Sequence, residues 1–185
     1  TTKDNRNDKI DAEITLCDAR SGAKIATLPK HEGTVRKIVF SPDGKLIVSG
    51  GTYPYLYLDE QQSNLRIWDF DSKQLIAALP KDPGGVTDLA ISRDGKTLAT
   101  THVDGNPLGF DEECDVRLWD LETKQERTKI HLKGRVGNLV FSPDGRTLLV
   151  ILGYIDPLKG QNVMAHKNVL KVLDASSGAE QKSLL

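Results

Sequence analysis

A short phrase is written three times along this chain: Ser41-Pro42-Asp43-Gly44-Lys45, Ser92-Arg93-Asp94-Gly95-Lys96 and Ser142-Pro143-Asp144-Gly145-Arg146. The copies stand about fifty residues apart, and self-similarity at a period of roughly 20–50 residues marks solenoids, propellers and repeat arrays. A second phrase keeps the same spacing. Ile67-Trp68-Asp69 returns as Leu118-Trp119-Asp120, and in weaker form as Val172-Leu173-Asp174 and Leu16-Cys17-Asp18. A unit of this size cannot bury its apolar face alone, so successive copies must stack to make a core.

Turn chemistry divides each unit into four short strands. In Pro42-Asp43-Gly44 the proline presets φ, the aspartate bonds its own backbone and the glycine takes positive φ. The first unit reads as strands over 35–41, 46–51, 65–70 and 74–79, and the second over 86–92, 97–102, 115–121 and 126–130. The third reads as strands over 136–142, 147–153, 169–175 and 180–185. VRKIVFS (35–41) is nearly continuous in apolar residues, the pattern of a strand buried on both sides near the centre of a structure. No segment carries a helical period. The expected class is therefore all-β, with blades of four antiparallel strands as in a β-propeller. Residues 1–13 read as a disordered tail and 14–28 as a half blade. Full blades are expected over 35–79, 86–130 and 136–185.

With these residues in view, the chain resembles the WD-repeat (WD40) family over nearly its whole length from Ile14 onward. The resemblance is carried by the Asp-Gly turns, the two Trp-Asp pairs and His31 four residues before Val35. In that family a histidine before the innermost strand, a serine or threonine on the second and the tryptophan on the third form a structural polar network. The resemblance places His31, Ser49 and Trp68 at those positions in the first blade. The second blade keeps Thr100 and Trp119 but has Asp82 where the histidine would stand. The third has Val150 and Leu173, so no network is expected there. A propeller typically has about 4–8 blades, so three and a half make an incomplete ring. The remaining blades are expected in the same or another chain. The leading outer pair looks like the family's closure device, in which terminal strands complete one blade together.

The period exceeds the usual 40–45 residues of this family, and the excess lies between the second and third strands: 52–63, 103–114 and 154–168. In a propeller these inserts share one face. They hold all four tyrosines, Tyr53, Tyr55, Tyr57 and Tyr154, together with Phe110 and a run of acids, Asp104, Asp111, Glu112 and Glu113, which Asp115 continues into the next strand. Tyrosine joins a large apolar area to a polar tip and is enriched at interfaces. Tyr53, Tyr55, Tyr57, Phe110, Asp111, Glu112 and Tyr154 are therefore the candidate partner-binding set. Packing of the inserts on one another is the competing role for the tyrosines.

Other chemistry finds little footing. Lys and Arg total 25 against 26 Asp and Glu, which favours neither nucleic acid nor membrane as a partner. Cys17 and Cys114 are the two cysteines; they define no disulfide framework, and a reduced, cytoplasmic setting is expected. The acidic insert lacks the D-x-D-x-D-G spacing of a calcium loop. His102, Asp104 and Cys114 lack zinc-ligand spacing, so no metal or cofactor is expected. The chain contains no G-x-S-x-G, P-loop or H-E-x-x-H motif. His131 and His166 show no acidic or nucleophilic neighbour in register, and the innermost strands offer only Arg36, Lys37, Asp88 and Asn138. The expected function is a non-catalytic scaffold that binds another protein through the insert-bearing face. The alternatives are the docking part of a larger enzyme or redox protein, or a self-assembling propeller fragment.

Overall fold

The computed structural model describes residues 11–52, 65–79, 85–103, 113–156 and 165–184. The chain enters through β1 (Asp11–Ala12), then forms a hairpin of β2 (Thr15–Cys17) and β3 (Lys24–Thr27) before β4 (His31–Glu32) pairs back onto β1. The expected disordered tail over 1–13 is thus entered by regular structure, because Asp11 and Ala12 find partners in Glu32 and His31.

Three four-stranded antiparallel sheets follow. The first comprises β5 (Thr34–Phe40), β6 (Leu46–Thr52), β7 (Leu65–Asp69) and β8 (Leu75–Ala78), in that order. The second comprises β9 (Val86–Ile91), β10 (Thr97–Val103), β11 (Glu113–Asp120) and β12 (Gln125–Lys133). The third comprises β13 (Arg135–Phe141), β14 (Thr147–Asp156), β15 (Ala165–Asp174) and β16 (Glu180–Leu184). These are propeller blades. No helix among the described residues is long and apolar enough to cross a membrane.

Side chains alternate across a strand, so each blade offers one face backwards and one forwards, and the core is a series of layers between blades. Ile14, Leu16 and Leu28 of the leading hairpin close on Ile47 and Trp68 of blade one. Val48, Leu65 and Ile67 of blade one close on Leu89, Leu98 and Trp119 of blade two. Ala99, Val116 and Leu118 of blade two close on Leu148, Val150, Leu152 and Leu173 of blade three. Each of these tryptophans faces the preceding sheet.

The innermost strands come together: β9 lies against β5 on one side and β13 on the other. Only β9 of these has both neighbours, and this overturns one expectation. The strand over 35–41 is not buried on both sides, since Ile38 and Phe40 are 40% and 53% exposed. They face the leading hairpin, whose Ile14, Leu16 and Leu28 close on Ile47 and Trp68, and among the described residues these two side chains of β5 stay largely open. Val140 and Ile151 on the forward face of blade three are open as well, at 53% and 40%.

The repeated turns establish which way the blades point. In each turn the serine hydroxyl donates to the aspartate (Ser41 to Asp43 and Ser92 to Asp94, both 2.6 Å) and accepts from the amide that opens the second strand. The glycine follows at φ of 72–73°, a region that costs other residues energy. A methyl on Gly95 would lie 3.8 Å from Pro42 of the preceding blade, and one on Gly145 would lie 4.0 Å from Ser92. The three turns therefore sit side by side at one end of the blades. Because the strands are antiparallel, the connections from second to third strand leave from the opposite end. At that same end each innermost strand carries a β-bulge, around Arg36, Thr87 and Gly137.

Candidate functional site

The residues expected to form the structural network are brought together in two blades, by somewhat different means. In blade one Trp68 Nε1 donates to Ser49 Oγ at 2.8 Å, and His31 lies fully buried with its ring 6.5 Å from the Trp68 ring. In blade two Trp119 Nε1 donates to Thr100 Oγ1 at 2.9 Å. The histidine there is His102, whose Nε2 lies 2.7 Å from the same hydroxyl. A threonine hydroxyl carries one proton and two lone pairs, so Thr100 accepts the indole N–H and still has a hydrogen bond to share with His102. His102 and Thr100 are two apart on β10 and share a face, which a search for a histidine before the innermost strand could not reveal. Asp82, at that other position, lies outside the described residues. Replacing His102 with phenylalanine is expected to lower stability by about 1–3 kcal/mol, the cost of a buried polar group losing its partner. Urea unfolding of the two proteins measures it.

The innermost strands hold a second polar arrangement. Asp88 is buried on β9. One carboxylate oxygen lies 2.9 Å from Lys37 Nζ of blade one, and the other accepts from the Leu139 amide of blade three at 2.7 Å. Lys37, Asp88 and Asn138 occupy the same register position in successive blades. Of the four polar residues expected on the innermost strands, Lys37 and Asp88 thus join with the Leu139 amide in a seam across three strands.

The insert roots are better ordered than loop readings imply. β14 and β15 continue as a two-stranded ribbon past the end of β13, pairing Tyr154 with Lys167, Ile155 with His166 and Asp156 with Ala165. The insert expected over 154–168 is therefore strand at both ends. Val103 belongs to β10, and Glu113 and Cys114 belong to β11. Of the candidate partner-binding set, Tyr154 is placed on this ribbon. Tyr53, Tyr55, Tyr57, Phe110, Asp111 and Glu112 lie outside the described residues, as does Asp104 of the acidic run.

At the root of the second insert, register creates what residue spacing hid. Asp115 is the direct cross-strand partner of His131, so that histidine does have an acidic neighbour. His131 Nδ1 lies 3.0 Å from Asp115 Oδ1, and Nε2 lies 3.3 Å from Glu113 Oε2. Lys129 Nζ is 2.6 Å from Asp115, Arg117 is 3.9 Å from it, and Arg117 also pairs with Glu126 at 2.9 Å. Partial burial pushes the Asp115 carboxyl up, but hydrogen bonds from Lys129 and His131 outweigh this and hold it below the usual range. The Asp115 hydrogen bond, helped by Glu113, raises His131 above its ordinary value. Among the described residues no cluster of His, Cys, Asp and Glu is arranged to hold a metal ion. His102 is bonded to Thr100, and the Cys114 thiol donates to the Leu132 carbonyl at 3.5 Å.

Known proteins are similar in the same terms. The family profile described as "WD domain, G-beta repeat" matches residues 22–69 and 73–120. The chain is 30% identical to Pre-mRNA-processing factor 19 homolog 2 of Arabidopsis thaliana over 91% of its own length and 29% of that protein. It is 27% identical to the mouse (Mus musculus) serine-threonine kinase receptor-associated protein over 77% of its length and 35% of that protein. Among solved structures, Kuenenia stuttgartiensis hydrazine synthase superposes with a TM-score of 0.71 at 19% identity, over 92% of this chain and 42% of that one. At that identity the likeness is one of fold alone. The chain spans less than half the length of each.

Proposed function

The chain belongs to the WD40 repeat family, and from that premise we propose that it is a non-catalytic scaffold which binds another protein through the face carrying its long inserts. The observation that carries the reading is positional. The Asp-Gly turns stand side by side at one end of the blades, so the three connections that lengthen the repeat leave from the other. A surface assembled from three successive blades can gather residues far apart in sequence, and tyrosines placed there suit an interface. The non-catalytic part is supported by the histidines. His31 and His102 are buried within the blades, where no substrate reaches them.

The test is a double substitution, Tyr55→Ala with Tyr57→Ala. Proteins captured from the source organism by the parent chain and by the variant are compared quantitatively, with melting temperature measured alongside. The expected result is loss of a defined subset of captured proteins with the melting temperature changed by less than about 2 °C, as for substitutions within ±0.5 kcal/mol. A large fall in melting temperature with capture unchanged would assign these tyrosines to packing between inserts.

A second contact is favoured by the exposed apolar side chains Ile38 and Phe40 at one end of the blade series and Val140 and Ile151 at the other. Further blades, in the same or another chain, would cover them, as the blades within this chain cover one another.

A further inference from the structure

We propose that His131 is a pH-operated clip on the root of the second insert, fastening the start of β11 to β12 when protonated and releasing Glu113 when neutral. The proposal rests on the reading that this insert presents partner-binding residues, because Phe110, Asp111 and Glu112 run directly into Glu113.

The geometry sets the proton requirement. Glu113 and Asp115 are two apart on β11 and so point to one side. The imidazole bridges them with different nitrogens, Nδ1 to Asp115 and Nε2 to Glu113. Ionised carboxylates only accept hydrogen bonds, and a neutral imidazole has a single N–H to donate. Both contacts together therefore need the imidazolium. On deprotonation one contact must become a lone pair facing a carboxylate.

The neighbours decide which contact is lost. Asp115 is only 17% exposed and is also held by Lys129 and, more distantly, Arg117. Glu113 is 44% exposed, and its cross-strand partner is the exposed Lys133. The groups facing His131 among the described residues are thus Glu113, Asp115 and Arg117 on β11, with Lys129 and Lys133 on β12. The neutral ring keeps Nδ1–H on Asp115 and lets Glu113 go. Glu113 forms the last described rung of the β11–β12 ladder, opposite Lys133, so its release frays the strand at the point where the insert begins.

The direction of the pH effect follows from the raised basicity of His131. The clip is closed below the ordinary histidine value of about 6.5 and opens as pH rises through the higher folded value. Because His131 is half exposed, salt weakens the effect.

Nuclear magnetic resonance on the full chain tests this without any partner. The His131 ring is titrated, and amide exchange at Glu113, Cys114 and Lys133 is followed across the same range and corrected for its intrinsic pH dependence. The ring is expected to titrate with a midpoint above about 6.5. Protection at the three amides should fall roughly two- to fivefold across that midpoint, the scale of a half-exposed ion pair. His131→Gln should abolish the step, and Glu113→Gln should flatten it and lower the midpoint, both with the Trp119 indole signal unmoved. A midpoint at or below 6.5, protection indifferent to the titration, or a step that survives His131→Gln would overturn the clip. Failure of the tyrosine experiment would overturn partner binding instead and leave this result standing.

Discussion

Gly51→Ala is expected to destabilise the protein by about 3 kcal/mol or more, at the upper end of what overpacking costs. A Cβ at this position would stand 1.9 Å from the Thr34 carbonyl oxygen and 2.9 Å from its carbon. Both are backbone atoms of β5, and that strand cannot retreat easily because Thr34 and Val35 are paired with Thr52 and Gly51 themselves. The neighbouring Gly50 is hemmed in from the other side, by Val86 at 2.6 Å from its would-be Cβ. Gly137→Ala is the control. Its nearest neighbour would be 3.6 Å away and its φ is ordinary, so a change within about ±0.5 kcal/mol is expected. Urea unfolding of the three proteins gives the comparison. If Gly51→Ala unfolds with the parent, β5 and β6 do not approach each other as described.

The second large effect concerns Asp88. Asp88→Leu removes the acceptor for the buried Leu139 amide and the counter-charge for Lys37 together, and is expected to cost about 3–5 kcal/mol. Asp88→Asn keeps an oxygen for the amide and loses the ion pair. Lys37 is 39% exposed, so water takes up part of that loss, and about 1–2 kcal/mol is expected. The ratio between the variants is the informative quantity. Equal effects would mean that the link from Asp88 to blade three contributes nothing, and that the seam joins blades one and two alone.

Much of this could be read from the chain. Serine, aspartate and glycine at fixed offsets define a turn through contacts spanning a few residues, and the turns are found where those residues stand. Alternation along each strand marks which residues enter a layer. The repeat's register puts Ser49 beside Trp68 and Thr100 beside Trp119, because each pair lies on adjacent strands of a single blade. Other features escaped. His102 satisfies the network from a position no repeat pattern marks. His131 meets Asp115 through the register of the β11–β12 ladder, which a β-bulge between Leu118 and Trp119 shifts by one residue.

The difference is one of range. Turn formation, strand alternation and the period of the repeat depend on near neighbours, and those the sequence determined by itself: four-stranded blades, their order, and which strands the inserts join. Asp88 reaches Leu139 across 51 positions, and Gly51 is required by the close passage of another strand. The exposure of Ile38 and Phe40 depends on where the leading hairpin closes on blade one. Each of these was decided by the tertiary structure, because it depends on how one sheet settles on the next, and no local pattern carries the distance between them.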